Sequence, residues 1–336
     1  MLNTLLKKRE LVLAVLIVIL SLVTNAINPN FLTVENITDL LKAFTVLGIF
    51  SLGVLVVIVS GGFDVSFTAI ATVTQYTVVG ILIHYNTGNI YVSIIGAMFF
   101  GTILGLLNGA IIYFYKMPAI IVTIATQSLF HGTLYVITQG VQINDIPSFF
   151  WNFSDAKVGA LESASGVEYG LSLVTFLWIL LGIILYLILN YTKLGRSVYA
   201  MGGNRMSAER IGFNLCRTTL FVYGAMGAIA GFAGIVHVSM VQAVVPSLIV
   251  GTEMTVIAAV VLGGSAVTGG KGTVLGTFLG VLLFAILSNS LTLMRISSYY
   301  YNVLTGLIIL ISITANAIQA QCQKNQRVRV QIDEGI

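Results

Sequence analysis

Two acids beside hydrophobic runs, Asp64 and Glu253, are the residues of this chain whose type could do chemistry. A carboxylate at the centre of a membrane helix costs about 2.5–3.5 kcal/mol on insertion scales, so acids at that depth usually have a function. Both acids, however, stand beside helix breaks. Asp64 follows Gly61-Gly62-Phe63 and can cap the next helix, with Ser66 as a second capping oxygen, and Glu253 can cap the helix it precedes. We favour capping, with ion coupling as the alternative.

Uncharged polar side chains inside the hydrophobic runs form a second group. They could line a path for a polar solute, because such a path needs hydrogen-bonding groups inside the bundle. Each could equally tie two helices together, and we favour that interpretation. The group consists of Gln75, Asn108, Thr123, Thr126, Gln127 and Asn289.

The sequence shows no pattern for nucleotide binding, metal binding or a catalytic triad. The run Gly269-Gly270-Lys271-Gly272-Thr273 is not a phosphate-binding loop, because Ser265 replaces its first glycine and Gly272 its Ser/Thr. The three histidines are far from one another and from any Cys or Asp cluster in the sequence, so no zinc site or catalytic triad is visible. Cys216 and Cys322 suggest neither a disulfide framework nor a metal site. We therefore expect no nucleotide hydrolysis, cofactor or metal on this chain.

The longest basic break between hydrophobic runs is Tyr191–Arg217, which carries five basic residues against the single acid Glu209. Asn204 can cap a short helix over Arg205–Ile211, and Gly212 can end it in the left-handed conformation. Such a helix is about 10 Å long and marginal alone in water, so something must pack on it. A loop whose charges only orient the protein is the alternative.

The elements that position these residues are membrane helices. The 336 residues are 57% hydrophobic and 8% charged, whereas a soluble domain has roughly a quarter charged residues. Apolar runs repeatedly reach the roughly 20 residues that cross a bilayer. The sequence predicts an all-α polytopic protein with ten spans: Leu11–Ile27, Leu40–Ser60, Phe67–Tyr85, Ile90–Tyr115, Ala119–Thr138, Leu171–Tyr191, Thr218–Val241, a weak one between Gly251 and Val267, Thr273–Met294 and Tyr300–Ile318.

Charge fixes the predicted orientation. Alternating the ten spans places all but three of the 16 Lys and Arg residues on one side, the exceptions being Lys42, Lys157 and Arg295. The positive-inside rule then puts both termini in the cytoplasm. The same bias explains the net charge of +4 without a nucleic-acid partner. We expect one transmembrane domain, 1–336, with a central cytoplasmic loop at 192–217 and a cytoplasmic tail at 319–336.

Glycines recur at spacings that suit close helix contact. One face carries Gly101, Gly105 and Gly109, another Gly272, Gly276 and Gly280, and a third Gly227 and Gly231. In lipid, such faces let backbones approach, and helix packing without a site is the favoured interpretation. The second and eighth spans both end in a glycine pair, Gly61-Gly62 and Gly263-Gly264, as in transporters with internal repeats.

Six segments in order resemble the permease subunits of bacterial sugar ABC importers of the ribose and galactofuranose type. They are Asn28–Leu32, Ile58–Phe67 (IVSGGFDVSF), Lys116–Thr126, Gly195–Asn214, Glu253–Val281 and Ser297–Ile313, nearly the whole chain. Phe63 and Val65 depart from the family's usual Ile and Leu, and Phe67-Thr68 from a common Val-Gly. These departures affect the surroundings of Asp64.

The resemblance implies a mechanism and a set of partners. Such permeases lie in the bacterial inner membrane and pair there with a second copy or a similar chain. Two cytoplasmic ATPase subunits, which bind ATP and Mg, dock beneath, and a periplasmic or lipid-anchored binding protein delivers the sugar. The outer segment Gln139–Gly170 would face that binding protein. Pentoses, hexoses, furanose sugars and autoinducer-2 all suit the resemblance.

The resemblance also implies roles for individual residues. The segment that couples to the ATPase would comprise Gly202, Gly203, Asn204, Ser207, Ala208, Glu209, Arg210, Ile211 and Gly212. The translocation path or its helix breaks would include Gly61, Gly62, Asp64, Ser66, Asn108, Gln127, Glu253, Gly263, Gly264 and Asn289.

Three other functions remain as alternatives. A permease of the related branched-chain amino-acid type differs through its binding protein. A stand-alone secondary transporter would need a buried ion site, for which the sequence offers only Asp64 and Glu253. A structural or signalling membrane protein is disfavoured by the glycine-broken spans.

Overall fold

Long apolar runs fold as helices here, because a backbone in hydrocarbon must satisfy its polar groups within the segment. The computed structural model describes residues 9–162, 168–297, 299–308, 310, 311 and 314. Two strands, β1 (Lys157–Glu162) and β2 (Glu168–Ser172), pair antiparallel between the seventh and eighth helices. The helices are α1 (Arg9–Ile27), α2 (Val34–Ala43), α3 (Thr45–Val59), α4 (Phe67–His84), α5 (Ile90–Phe114), α6 (Ala119–Thr138), α7 (Ser148–Asp155), α8 (Leu173–Tyr191), α9 (Lys193–Gly203), α10 (Arg205–Arg210), α11 (Leu215–Val241), α12 (Glu253–Leu262) and α13 (Val274–Leu293).

Seven of the described helices, α1, α4, α5, α6, α8, α11 and α13, are long and apolar enough to cross a membrane. The bent pair α2–α3 makes an eighth if it is one span. The protein is therefore a predominantly helical polytopic membrane protein, as predicted. The count of ten stays a prediction. Within residues 251–267, α12 has ten residues and is about 15 Å long, half the hydrocarbon thickness.

Two predicted regions extend beyond the described residues. The tenth predicted span, 300–318, is helical at residues 299–308 and is described only in part after that. The predicted cytoplasmic tail, 319–336, lies wholly outside the described residues.

The predicted second span begins earlier than expected and is broken. α2 starts at Val34 and α3 ends at Val59, with a bend of 52° between them. The polar composition of α2 explains the break, since only Leu40 is buried there and Lys42 pairs with Asp155 at 3.2 Å. The apolar sequence that suits hydrocarbon starts only with α3.

The core forms around α3 and α11. Of the 15 residues of α3, all but Val46 and Leu47 are buried. In α11, 78% of the most apolar window is buried, against 11% in α1, which therefore lies at the periphery. Trp178 of α8 packs directly on Gly48 of α3, where a Cβ would come within 2.2 Å of the indole ring.

The glycine faces bring helix backbones into contact, as their spacing predicts. A Cβ added to Gly105 of α5 would lie 2.1 Å from the carbonyl oxygen of Tyr223 in α11, and one on Gly227 would lie 2.0 Å from that of Gly101. A Cβ on Gly280 of α13 would lie 2.0 Å from the carbonyl oxygen of Ala259 in α12. The pairs α5–α11 and α12–α13 are thus each packed backbone to backbone.

The described residues of the polar segment Gln139–Gly170 form more regular structure than the sequence indicates. It contains α7 and most of the β1–β2 hairpin, and Phe150 of α7 is fully buried against the bundle. Ile143 and Val244 also form a backbone bridge, with N–O distances of 3.0 and 2.9 Å, that ties this segment to the loop after α11. The described residues of this segment therefore form a packed cap at one end of the bundle.

We expect Gly105→Ala to destabilise the protein by about 1–3 kcal/mol, because its methyl group would meet backbone atoms of α11 that cannot rotate away. The measurement is thermal unfolding in detergent. Gly80→Ala in α4 is the control, since a Cβ there meets nothing within 4 Å. Equal melting temperatures for both variants would contradict the backbone contact.

Candidate functional site

The break between α3 and α4 holds the first of the predicted site residues. Gly61 has φ of +78°, which glycine adopts without strain and which turns the chain out of the helix. The unwound carbonyl of Phe63 accepts from the hydroxyls of Tyr223 at 3.4 Å and Thr123 at 3.5 Å. The break is therefore supported by side chains of α11 and α6.

Asp64 is 3% exposed and organises the start of α4. Its Oδ1 accepts from the backbone N–H of Ser66 at 2.7 Å and from the Ser66 hydroxyl at 2.6 Å. The hydroxyl in turn accepts from Nδ2 of Asn108 in α5 at 2.8 Å. The expectation that Ser66 supplies a second capping oxygen is wrong, because that hydroxyl is held by Asp64 and Asn108 and caps no helix N–H.

Glu253 joins three helices. It is 6% exposed at the start of α12, and its Oε1 accepts from the hydroxyl of Thr68 in α4 and from Nε2 of Gln127 in α6, the latter at 2.5 Å. Both carboxylate oxygens also accept from the N–H of Gly251, at 3.1 and 2.9 Å. Glu253 was expected to cap α12. Its carboxylate instead turns back to the loop and ties α4 and α6 to that loop.

The structure thus brings Asp64, Ser66, Asn108, Gln127 and Glu253 to the same end of α4, in two hydrogen-bonded groups. Thr68 links the second group to α4 and was not among the predicted site residues. Its only signal in the sequence is the departure Phe67-Thr68 from the pattern of similar permeases. Hydrogen bonds from backbone amides, hydroxyls and a side-chain amide hold both buried carboxylates.

The second glycine pair also lies at a helix break. α12 ends at Leu262, and Gly264 has φ of +98°. A Cβ on Gly263 would lie 2.3 Å from the carbonyl oxygen of Gly276, so this break packs against the first turn of α13. Gly61-Gly62 and Gly263-Gly264 therefore occupy corresponding places, each at the end of a short buried helix.

Two of the predicted polar residues, Asn289 and Gln75, lie apart from these hydrogen-bonded groups. Asn289 of α13 exchanges hydrogen bonds with Asn36 of α2, at 3.2 and 3.0 Å, which is a tie between helices. Gln75 of α4 is fully buried, and neither its Oε1 nor its Nε2 has a hydrogen-bond partner among the described residues. An unpaired amide inside a bundle is free to meet water or a passing polar solute.

The basic stretch folds as two helices, of which the sequence predicts one. Thr192 caps α9, accepting from Gly195 N at 3.1 Å, and α9 was missed. Asn204 caps α10 by accepting from Ser207 N at 2.9 Å, and Gly212 follows with φ of +91°, both as predicted.

The α10 helix lies at the surface of the protein, and Ala208 is its one buried residue. Ala208 is 1% exposed and packs with Met201 and Leu215, whereas the other five residues of the helix are exposed. Met206 is 64% exposed and Ile211, just after the helix, 72%. Two large apolar side chains and several charges thus face outward from one short helix.

Comparison with known proteins gives the family. Residues 36–313 match the family model of the branched-chain amino acid transport system permease component. The chain belongs to this permease family. It is 31% identical to the ribose import permease protein RbsC of Escherichia coli (strain K12), over 91% of this chain and 92% of that protein.

Two further relatives are similar in sequence over most of the chain. Identity to RbsC of Bacillus subtilis (strain 168) is 33%, over 88% of both chains. Identity to the autoinducer 2 import system permease protein LsrC of Salmonella typhi is 27%, over 97% of this chain and 91% of that protein. No solved structure matches the chain. The protein is accordingly a membrane permease, a transport subunit of the kind the sequence predicts.

We expect Glu253→Gln to destabilise the permease by about 1–3 kcal/mol, because hydrogen bonds to a charged carboxylate weaken when it becomes an amide. Thermal unfolding in detergent measures this. Glu35→Gln, at an exposed acid in the first turn of α2, should leave stability unchanged. A Glu253→Gln protein of normal stability that transports nothing would contradict a mainly structural role.

Proposed function

We propose that this permease is the membrane-spanning subunit of a bacterial ABC importer for a sugar or sugar-like solute. A separate cytoplasmic ATPase subunit binds ATP and Mg and powers it, and an extracytoplasmic binding protein delivers the solute. The observation that carries the proposal is the exposed α10 helix. It lies in a segment that resembles the ATPase-coupling region of sugar permeases, within a chain about 30% identical to ribose permeases.

The surface chemistry of α10 supports docking of a partner. Its six residues would be marginal as a free helix, and here one buried alanine and two neighbouring side chains hold it. Its exposed face combines the apolar Met206 and Ile211 with Ser207, Glu209 and Arg210, a mixture suited to a protein interface rather than to water alone. The groove that receives it would lie on the ATPase subunit.

In this proposal the permease has ten spans and both termini in the cytoplasm. The α12 helix forms a half-span, which enters the bundle with the loop of residues 263–272, and residues 300–318 form the last span. The cap of α7 and the β1–β2 hairpin then lies on the outer side, where Trp151 is 44% exposed and the binding protein would dock. The exposed apolar faces of α1, α5 and α6 would contact lipid and the second permease chain.

The buried acids favour an importer over an ion-coupled carrier. Glu253 receives three hydrogen bonds on Oε1 and one on Oε2, and Asp64 receives two on Oδ1, all from the chain itself. Carboxylates used in this way hold helix breaks together.

Purification in mild detergent from native membranes tests the proposal. We expect an ATPase subunit, and with it a binding protein whose bound ligand identifies the solute. A partner-free permease that still transports after reconstitution without ATP would contradict the proposal and favour the secondary transporter. A binding protein loaded with a branched-chain amino acid would keep the importer and replace the sugar.

We expect Glu209→Lys and Ser207→Trp to lower ATP-dependent uptake about tenfold or more, since a loss of ~1.4 kcal/mol in docking free energy is already tenfold. Membrane insertion should stay normal, because both side chains are exposed. ATP hydrolysis and uptake by the reconstituted complex are the measurements. Asp39→Lys, at an exposed acid of α2, is the matched charge reversal and should transport normally. Normal uptake in both α10 variants would remove the docking role.

A further inference from the structure

Three separate parts of the permease meet at one point through glycine backbone. They are the end of α3 with its break, the end of α9 just before the docking helix, and the loop of residues 263–272 after α12. The amide of Gly270 donates to the carbonyl of Val59, the last residue of α3, at 2.8 Å. We call this the three-way glycine junction, formed by Gly61, Gly202, Gly269 and Gly270.

The contacts at the junction leave no room for a side chain. A Cβ on Gly202 would lie 1.9 Å from the carbonyl oxygen of Val59 and 2.7 Å from the amide of Gly270. A Cβ on Gly269 would lie 2.7 Å from the Cα of Gly61 and 2.8 Å from the carbonyl oxygen of Gly202. Backbone atoms cannot rotate aside as side chains do, so the three segments are in direct steric contact.

Three of these glycines also need their unusual backbone angles. Gly61, Gly269 and Gly270 have φ of +78°, +88° and +73°, which L side chains rarely adopt. Gly202 is different, because it lies within α9 in an ordinary helical conformation. Only the contact with α3 and the loop requires a glycine there, which makes Gly202 the informative position.

A side chain reinforces the same contact. The hydroxyl of Tyr199, one turn before Gly203 in α9, donates to the carbonyl of Gly272 at 2.7 Å. Burial raises the pKa of Tyr199 above its ordinary value, so the phenol stays a protonated donor. The α9 helix therefore holds the loop of residues 263–272 by one hydrogen bond and by backbone packing.

We infer that Gly202 and Tyr199 are positioning residues that transmit movement of the docking helix to both helix breaks of the membrane domain. The inference rests on the proposed function, since the movement would come from the ATPase. α10 follows α9 after a single residue, Asn204, so displacement of α10 moves Gly202. Because Gly202 touches Val59 and Gly270, that displacement reaches the break at 60–66 and the one at 263–272 together.

The experiment compares Gly202→Ala with Gly132→Ala in the complete reconstituted complex. Gly132 is also a helical glycine, in α6, but it lies outside the coupling segment and a Cβ there meets nothing within 4 Å. We expect Gly202→Ala to bind the ATPase normally, because the face of α10 is unchanged. Stimulation of ATP hydrolysis by the binding protein, and uptake, should fall about tenfold, within the usual range of coupling free energies. Gly132→Ala should behave as the wild type does.

A second variant decides the question if Gly202→Ala does not reach the membrane. Tyr199→Phe removes one hydroxyl, and stimulation should fall about fivefold, the effect of one net hydrogen bond. Tyr113→Phe is its control, because Tyr113 packs against the cluster of Met201, Ala208 and Leu215, and its hydroxyl has no hydrogen-bond partner among the described residues.

The outcomes separate the inference from the proposed function. If the wild-type complex shows no ATP-dependent uptake, the proposed function fails before any variant is compared. If the wild type transports and Gly202→Ala and Tyr199→Phe match their controls, the glycine junction transmits nothing and the inference is overturned, while the importer stands. Loss of ATPase binding in Gly202→Ala would also overturn it, since the glycine would then serve docking itself.

Discussion

Each break in a membrane-embedded helix frees backbone polar groups that hydrocarbon cannot satisfy, and this constraint governs the structure. The freed carbonyl of Phe63 is met by Tyr223 and Thr123, and the freed amide of Gly251 by Glu253. The amide of Gly270 is met by the carbonyl of Val59. The polar side chains of the bundle therefore gather at the breaks because the breaks require them, and any path for a polar solute through these groups would use the same atoms.

Glycine packing determines which parts of the bundle stay together. Backbone contact joins α5 to α11 and α12 to α13, so that each pair has little freedom to separate. The break at 60–66 lies outside both pairs, and the break at 263–272 joins the two helices of the second pair. At both breaks the chain is unwound and held by hydrogen bonds. Such an arrangement suits a transporter, in which packed units move against each other about a few short segments.

Structural features that depend on residues close together in the sequence were predictable. Hydropathy located the long spans, the four-residue glycine spacing located the backbone contacts, and Asn204 and Gly212 bounded α10. The contacts of Glu253 with Thr68 and Gln127 were not predictable. Thr68 lies 185 residues and Gln127 lies 126 residues before Glu253, and no local sequence pattern indicates that they are in contact. The α9 helix was not predicted, because its basic and small residues are typical of a loop. The one local signal was Thr192, whose hydroxyl can cap a helix by accepting from the N–H of Gly195.

The central claim is that this permease moves its solute only with the energy of a separate ATPase. Uptake into vesicles tests it most directly, with the solute carried by the co-purified binding protein as the labelled probe. We expect uptake by the complete complex when ATP reaches the ATPase, and none by the permease alone under an imposed proton or sodium gradient. Gradient-driven uptake by the permease alone, without ATP, would contradict the account.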